Sequence, residues 1–335
     1  MYKSKDPSWV DHLGVDAIGS PSGELVRETM REWSLAKHRK PSPEEICLIN
    51  SLEPGKCPRC GSERIVRNGH RKDGVGLWKC RSCGLSFNPL TGTVFDGKKI
   101  PISEWAEYLL HLFEFHSVAT SARDNRNAYT TGRYWLAKVF ATLKGCQGGV
   151  MLEGKVWLDE TYVPVDKCER AMGKDGKAQR GISSNLLAIG AATDGRSLYV
   201  VCEWASKPSK KRTLAAFRDH IKPGSTLVHD GDNSHSSLVD ALGLKSEVHK
   251  TAETKGMPDR ANPMDRINDV HSLLKRFLGE HGGYARKDLQ GWLDLFWFIW
   301  SDPPSRYLKI VRFVQKAVSG ANLIRYRAFY KKKDR

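Results

Sequence analysis

The spacing of apolar residues changes character near residue 150. Before that point, "PISEWAEYLLHLFEFH" (101–116) and "TTGRYWLAKVFATLKG" (130–145) repeat apolar residues at the spacing of amphipathic helices. Short polar breaks separate these segments, so three short helices compatible with a helix-turn-helix unit are predicted. The stretches "ELVRETMREWSLAKH" and "SPEEICLINSLE" predict a helical lead-in, with Ser42 and Glu45 forming a capping box.

Beyond residue 150, short apolar runs alternate with helical patterns. "GKVWLDETYVPV" predicts a strand, and a polar loop follows it. "NLLAIGAATDG" and "SLYVVCEWA" predict two strands joined by a turn at Asp194 and Gly195. A helix, the strand "STLVHDGD", a helix ending at Gly243, the strand "SEVHKT" and two longer helices complete the pattern. This order predicts an α/β domain with a mixed sheet covered by helices.

The charge of the chain narrows the class of partner. Lys and Arg number 54 against 38 Asp and Glu, which gives a net charge of +16 and favours a polyanion, with nucleic acid ahead of a membrane surface. The longest apolar run, "LDLFWFIW", is far shorter than the ~18 residues that span a bilayer. The N-terminus lacks a signal-peptide core, so a cytoplasmic location without membrane attachment is expected.

Four of the eight cysteines form two CxxC pairs, "CPRC" and "CRSC", separated by 19 residues. This spacing predicts a four-thiolate zinc ribbon, and a glycine after each pair, Gly61 and Gly84, permits the tight turn. A closed four-cysteine site has no open coordination position, so this zinc is expected to hold structure. The alternative is two unrelated pairs. The predicted zinc ligands are Cys57, Cys60, Cys80 and Cys83.

Basic residues concentrate around the cysteines and near the C-terminus. Residues 56–100 contain ten Lys and Arg against three Asp and Glu, and residues after 285 contain twelve against four. Both stretches are predicted to contact DNA phosphates, with a solvated basic surface as the alternative. In the ribbon the predicted contacts are Arg59, Arg64, Arg67, Arg71 and Lys72.

Two aspartates follow apolar strands at similar positions. Asp159 in "VWLDET" and Asp230 in "TLVHDGD" each end an apolar run and precede a polar turn. Acids at the ends of two strands of one sheet could converge on magnesium ions for phosphodiester chemistry, with a third carboxylate ordinarily supplied by a helix. The alternative is that each is a turn or cap residue. Glu160, His229 and Asp232 flank the two acids and are interpreted as loop polar residues rather than as supports of the site.

Together these segments resemble a known family. "CPRCGSERIVRNGHRKDGVGLWKCRSCGLSFNPLTGTVF", "WLDETYV", "LVHDGD" and "INDVHSLLKRFLGEHGGYARKDLQGWLD" resemble the ISXO-like insertion-sequence transposases, in the family's order, over roughly residues 57–300. The resemblance implies an N-terminal zinc ribbon joined to a ribonuclease-H-like DDE catalytic domain. It also implies Mg²⁺ or Mn²⁺ as the catalytic cofactor, beside structural Zn²⁺.

The resemblance also assigns catalytic positions. Asp159 falls on the first catalytic acid and Asp230 on the second. The family's third acid precedes a lysine by seven residues, which places Lys275 on that lysine and Asn268 on the acid. The resemblance therefore implies metal binding by Asp159, Asp230 and Asn268, and DNA contact by Lys275 and Arg276. Some members of the family have Asn at the third position.

Helix geometry is compatible with the third position, although without the resemblance Asn268 is interpreted as an exposed or cap-like polar residue of the helix. Asn268, His271, Ser272 and Lys275 are spaced to share one helical face. Asp265 lies one turn before Asn268 and could contribute through water, whereas Asp269 points about 100° away. An amide oxygen ligates magnesium without charge, so weak metal binding in the absence of DNA is predicted.

The predicted function is a DNA transposase. It would bind terminal inverted repeats and catalyse metal-dependent strand cleavage and transfer, as a homodimer or larger assembly on nucleoid DNA. Two alternatives stay open: a catalytically decayed zinc-ribbon regulator and a metal-dependent structure-specific nuclease. The predicted domains are a helical N-terminal segment (1–55), the zinc ribbon (56–100), a helical DNA-binding segment (101–149), the ribonuclease-H-like domain (150–305) and a basic C-terminal segment (306–335).

Overall fold

A computed structural model describes Leu25 and residues 41–98, 100–179, 181–281, 284–301 and 303–331. The predicted helix "ELVRETMREWSLAKH" lies outside the described residues apart from Leu25, as do residues 332–335 of the basic end. Within the described ranges, none of the helices combines the length and apolar character that crossing a bilayer requires.

Three helices lie between residues 101 and 145, and strands and helices alternate beyond residue 150, as the apolar pattern predicts. The described helices are α1 (Pro43–Ser51), α2 (Ile102–Phe113), α3 (Val118–Asp124), α4 (Tyr129–Leu143), α5 (Lys210–Phe217), α6 (Ser236–Leu242), α7 (Thr251–Thr254), α8 (Asp265–Gly279), α9 (Leu289–Trp300), α10 (Arg306–Ser319) and α11 (Tyr326–Lys331). The described strands are β1 (Ile65–His70), β2 (Gly76–Cys80), β3 (Ser86–Phe87), β4 (Lys155–Pro164), β5 (Leu186–Thr193), β6 (Leu198–Ala205), β7 (Thr226–His229) and β8 (Lys245–Val248).

The capping box predicted at the start of α1 is only half formed. Ser42 caps the helix, because its Oγ accepts a hydrogen bond of 3.2 Å from the Glu45 backbone N–H. The buried Glu45 carboxylate does not return this bond, and instead accepts from Lys98 and, at 2.9 Å, from the backbone N–H of Ile102. Helix α2 begins after Pro101, which offers no side-chain cap. The Glu45 side chain of α1 therefore caps the first backbone N–H of α2.

The three helices predicted between residues 101 and 145 are present as α2, α3 and α4. Their core is aromatic: the rings of Trp105 and Trp135 stack at 4.3 Å, and Tyr108 donates to the Gly132 carbonyl at 2.8 Å. A Cβ added at Gly132 would lie 2.7 Å from that of Ala122, so glycine allows α3 and α4 their close approach. These helices form a packed unit rather than three separate segments.

The basic C-terminal segment is helical and packs against α4. The Tyr134 hydroxyl donates to the Ile324 carbonyl at 2.5 Å, and the ring of Tyr134 contacts that of Tyr326 at 5.1 Å between centroids. Compact packing divides the chain after Lys138 and after Lys309. The C-terminal helices therefore belong to the same compact unit as the ribbon and α2.

A five-stranded sheet forms the second unit, in the order β6-β5-β4-β7-β8. Strands β4, β5 and β6 are antiparallel, whereas β4 pairs with β7, and β7 with β8, in parallel. The predicted α/β class and the mixed sheet are confirmed. The hairpin predicted at Asp194 is present, because Asp194 Oδ1 accepts from the backbone N–H groups of Arg196 and Ser197, at 2.9 and 2.7 Å, while Gly195 adopts a φ of +84°.

The two faces of β4 have different surroundings, because successive side chains of a strand point to opposite sides. Val156 and Leu158 belong to a fully buried apolar cluster with Phe217 of α5 and Leu238 of α6. Residues of the opposite parity, including Asp159, face α8. Full burial of side chains of this size contributes roughly 1.5–3 kcal/mol each, which holds the strand ends at fixed positions.

Candidate active site

The structure brings Asp159 close to Asp230, but Asp159 lies in the middle of β4 rather than at a strand end, whereas Asp230 directly follows β7. Trp157 of β4 lies opposite Val228 of the parallel strand β7, so two residues further along each strand lead to the two aspartates. Burial raises the pKa of Asp159 to about 7, and the neighbouring carboxylates of Asp230 and Glu160 add to the rise. A pair of carboxylates that disfavours its own charge in this way is typical of a cation site.

His271 connects α8 to Asp159 of β4. Its Nδ1 lies 3.6 Å from Oδ2 of Asp159, and its side chain is almost fully buried. Burial, assisted by the charge of Lys275, lowers the pKa of His271 to about 4, so the ring is neutral at physiological pH. The sequence grouped His271 with exposed polar residues of α8; the structure assigns it to the buried face, with Leu274 and Phe277.

Asn268 and Lys275 lie on the exposed side of α8. Asn268 is one helical turn before His271, and its backbone N–H bonds to the Met264 carbonyl. Within the described residues, no hydrogen bond or ion pair joins the side chain of Asn268 or Lys275 to either aspartate. The structure thus places Asp159 near Asp230, whereas Asn268 is exposed, one helical turn before His271.

A buried chain of hydrogen bonds, which the sequence did not predict, lies behind Asp230. His235 is fully buried, and its Nε2 lies 3.0 Å from Oε1 of Glu160, whereas its Nδ1 lies 3.0 Å from Nδ1 of His229. The Nε2 atom of His229 continues the chain to Ser246 Oγ at 2.9 Å. Glu160 and His229 are therefore buried structural partners, and their interpretation as loop polar residues was wrong.

The protonation of this chain follows from its donors. The Gly231 backbone N–H donates to Nδ1 of His229, so that nitrogen is an acceptor and the proton on the His235–His229 bond belongs to His235. Burial, with the nearby His235, lowers the pKa of His229 to about 4. Burial opposes the charged form of His235 too, but the Glu160 carboxylate outweighs it and raises the His235 pKa. An imidazolium paired with Glu160 thus lies 4.0 Å from Asp230.

A further buried acid, Glu203, occupies the α5 side of the sheet. Its Oε2 accepts from Thr213 at 2.9 Å, while Oε1 has no hydrogen-bond partner in the described structure. Burial, with the charge of Glu160, raises its pKa to about 7. A Cβ at Gly190 would lie 2.2 Å from Glu203 Oε1, so glycine in the adjacent strand makes room for this carboxyl group.

The four predicted zinc-ligand cysteines lie together, with their sulfur atoms within 4.8 Å of one another. Both CxxC turns have the same construction: Gly61 and Gly84, at φ of +70° and +71°, donate to the carbonyls of Cys57 and Cys80. The backbone N–H of Cys83 lowers the pKa of the Cys80 thiol to about 6, with a smaller effect from Ser82. Four soft donors in a tetrahedral-sized cluster suit a zinc ion. The predicted cysteine cluster is confirmed.

The basic residues predicted to bind DNA are exposed on the ribbon. Arg67 lies over the Trp78 ring at 5.5 Å and pairs with Glu53 at 2.9 Å, and Arg71 pairs with Asp73 at 3.0 Å. Arg59, Arg64 and Lys72 have no ion-pair partner among the described residues, so their charges are available to a polyanion.

Comparison with known proteins supports the origin that the motifs indicate. The chain is 24% identical over 255 residues to an uncharacterized protein in transposable element ISH50 of Halobacterium salinarum, covering 72% of this chain and 83% of that protein. The resemblance to transposable-element proteins is confirmed. No protein-family profile matches the chain.

Solved structures with a similar chain path include two from the Mos1 mariner transposase. Its catalytic domain has 12% sequence identity and a TM-score of 0.31, covering 57% of this chain and 95% of that chain. The Mos1 strand transfer complex has 13% identity and a TM-score of 0.30, covering 66% and 78%. Likenesses of this size carry no information about activity or catalytic residues.

Proposed function

We propose that this protein is a DNA transposase that cuts DNA at the ends of an insertion sequence and joins them to a target. The observation that carries the proposal is the proximity of Asp159, in the middle of β4, to Asp230, which directly follows the parallel strand β7. The net charge of +16 and the similarity to a transposable-element protein support a DNA substrate for this pair.

The donor set of the site fits Mg²⁺ or Mn²⁺. Asp159 and Asp230 offer carboxylate oxygens, and Asn268 at the rim offers an amide oxygen. Burial, followed by the charges of Asp230 and Glu160, raises the pKa of Asp159, and a bound divalent cation would favour its charged form. Such a cation, when bound, would make water or a 3′-hydroxyl more acidic and neutralise charge on the phosphoryl group.

The surrounding residues position these ligands. Neutral His271 packs against Asp159 and restricts the orientation of its carboxylate. The His235 imidazolium, held by Glu160, orients Asp230 without competing for it as a direct hydrogen-bond donor, since 4.0 Å separates them. Lys275 extends from the exposed side of α8 and would contact a DNA phosphate as a point charge.

DNA recognition would fall to the compact unit that precedes the sheet. Zn²⁺ bound by Cys57, Cys60, Cys80 and Cys83 would hold the ribbon rigid, so that Arg59, Arg64 and Lys72 meet phosphates at fixed positions. The helices α2 to α4 would contact the terminal repeats. Because two element ends must be held together, a dimer or larger assembly on DNA is proposed.

A nicking assay on duplexes that carry the element's terminal repeat tests this function. Wild-type protein with Mg²⁺ is expected to cut the end duplex, and Asp159→Ala and Asp230→Ala are expected to bind it without cutting. Asp240→Ala, an exposed aspartate on α6, is the matched control and should cut normally.

Two results of this assay would favour the other functions. Binding of the end duplex by the wild-type protein without any nicking would indicate a regulator. Cutting that is equally fast on a duplex with a scrambled terminal repeat would indicate a structure-specific nuclease.

A further inference from the structure

Three metal-ligating side chains meet at the C-terminal end of α2, far along the sequence from both sites described above. His111, Glu114 and His116 offer ligand atoms that all lie within 4.8 Å of one another. The rings of His111 and His116 stack, with 5.2 Å between centroids and 22° between planes. Neither the predicted zinc ribbon nor the paired aspartates account for this cluster.

The backbone creates the cluster through an unusual turn. In a continuous helix, His116 would point about 140° away from His111. Instead, helix α2 ends with Phe115 in the left-handed region at a φ of +66°, and the His116 N–H bonds to the His111 carbonyl while the Phe115 N–H bonds to that of Leu112. This is a Schellman motif, in which glycine is usual at the left-handed position.

The left-handed conformation of Phe115 is unfavourable, so another interaction must stabilise this turn. A bulky residue such as Phe115 is less stable in the left-handed region than in the ordinary helical conformation. The turn folds the chain back and places the His116 ring on the His111 ring. A bound ion that needs both rings would offset that cost.

Two nitrogens of the cluster are buried and lack partners. Nδ1 of His111 and Nδ1 of His116 are both shielded from solvent and accept or donate no hydrogen bond within the described structure. A buried polar atom without a partner is unfavourable. The cluster also lies at the C-terminal end of a helix, where the helix dipole favours positive charge.

We propose that His111, Glu114 and His116 bind a transition-metal ion of the zinc class, and that this ion locks the turn between α2 and α3. Two imidazoles and one carboxylate form a ligand set that zinc accepts, with a fourth position left for water or a phosphate oxygen. The site is independent of the four-cysteine cluster, which would bind its ion through four thiolates instead of imidazole and carboxylate groups. It is also independent of the proposed transposase activity.

Cobalt titration of the full chain, with the ribbon already saturated with Zn²⁺, tests the proposal. Co²⁺ is expected to bind to the wild-type protein with a visible spectrum that lacks thiolate charge-transfer bands. Zn²⁺ should compete for this site and raise the unfolding temperature beyond that of protein with the ribbon zinc alone. His116→Ala and Glu114→Ala are expected to lose both the cobalt spectrum and the extra thermal stabilisation.

Further variants separate metal binding from folding. His116→Cys keeps a metal ligand and should retain binding, with thiolate bands now visible in the cobalt spectrum. Phe115→Gly should stabilise the protein without the second metal and still bind it, because glycine tolerates the left-handed turn. His70→Ala, which removes an exposed histidine of β1, should bind cobalt like the wild type.

The proposal would be overturned if wild-type protein takes up no cobalt beyond the ribbon. It would also be overturned if His116→Ala, folded by circular dichroism, retains the same cobalt spectrum. Should His116→Ala fail to fold, Glu114→Ala and His116→Cys decide the question, since unchanged spectra in both would exclude these ligands.

Discussion

His271 Nδ1 lies 3.6 Å from Oδ2 of Asp159, and this contact fixes where α8 meets the sheet. The helix rises 1.5 Å per residue, so Asn268 lies about 4.5 Å along α8 from His271, on the exposed side of the helix. We propose Asn268 as the third ligand because it lies one turn from His271, and its neutral amide would bind a cation less strongly than a carboxylate.

The charge at residue 268 is expected to set the affinity for Mg²⁺. Asn268→Asp adds a negative oxygen donor at the rim of the site, so Mg²⁺ binding without DNA should tighten by about tenfold or more, where tenfold corresponds to about 1.4 kcal/mol. Titration calorimetry measures the change. Asp269→Asn is the control, because its side chain points about 100° away and its loss should leave the affinity unchanged. Unaltered binding in Asn268→Asp would remove residue 268 from the metal site.

The stability of the protein without Mg²⁺ should depend on pH through Asp159. Its pKa is about 7 in the folded protein against 3.8 in the unfolded chain, so the folded state binds more protons between these values and stability falls as pH rises through them. Asp159→Asn removes this penalty. It should raise the free energy of unfolding by about 2–4 kcal/mol at pH 8, and make no difference below pH 4.

Urea denaturation at pH 4 and pH 8, with the ribbon zinc retained, measures this difference. Adding Mg²⁺ at pH 8 should stabilise the wild type and leave Asp159→Asn unchanged, since binding to the folded state alone adds stability. If the difference in free energy of unfolding between Asp159→Asn and the wild type were the same at pH 4 and pH 8, the raised pKa would be contradicted.

The buried pair of Glu160 and His235 should be far more costly to break than an exposed pair. Glu160→Gln or His235→Ala leaves an uncompensated buried group and is expected to cost about 3–5 kcal/mol of unfolding free energy. Glu153→Gln, which breaks the exposed pair with Lys222, should change the free energy of unfolding far less, because solvent screens both charges. Equal losses in the two pairs, measured by urea denaturation, would show that the inner pair is not desolvated.

Removal of one ribbon cysteine should release the zinc and unfold the ribbon. Cys60→Ser leaves three thiolates, and because the site supplies folding energy directly, the ribbon is expected to lose its structure and its DNA affinity together. Zinc content and DNA binding are the measurements. Cys47→Ser, an exposed cysteine of α1, should keep both. Full zinc content in Cys60→Ser would exclude Cys60 as a ligand.

The salt dependence of DNA binding should report on the unpaired ribbon charges. Arg59→Ala and Arg64→Ala are each expected to reduce the slope of log K against log salt concentration by about 0.9, the value for one lost phosphate contact on duplex DNA. Arg196→Ala, in the β5–β6 turn, is the control. Slopes identical to the wild type in both ribbon variants would place the DNA elsewhere.

Much of the fold could be predicted because its signals are local. Apolar runs and turn residues gave the order of strands and helices, and the hairpin at Asp194 follows from side-chain capping within four residues. The cysteine cluster could also be predicted from the sequence, since two identical turns bring its four sulfur atoms together. The pairing of Asp159 with Asp230 needed only the register of two parallel strands.

The remaining features depend on contacts between distant residues. His235 meets Glu160 across 75 positions of sequence, so no short motif marks the pair. The basic C-terminal segment packs on Tyr134 across 190 positions. The cluster of His111 and His116 depends on Phe115 in the left-handed region. Because phenylalanine is uncommon at positive φ, the sequence does not predict a turn there.

Strand transfer by a pre-cleaved element end tests the central claim most directly. A duplex with a free 3′-hydroxyl at the terminal repeat is incubated with target DNA, protein and Mg²⁺, and joined products are counted. Wild-type protein is expected to join the end to the target, whereas Asp159→Asn and Asp230→Asn, which keep the size of each side chain, should bind the DNA and join none. Joining that persists in both variants, or its absence in the wild type under conditions of full DNA binding, would contradict a transposase active site built on these two aspartates.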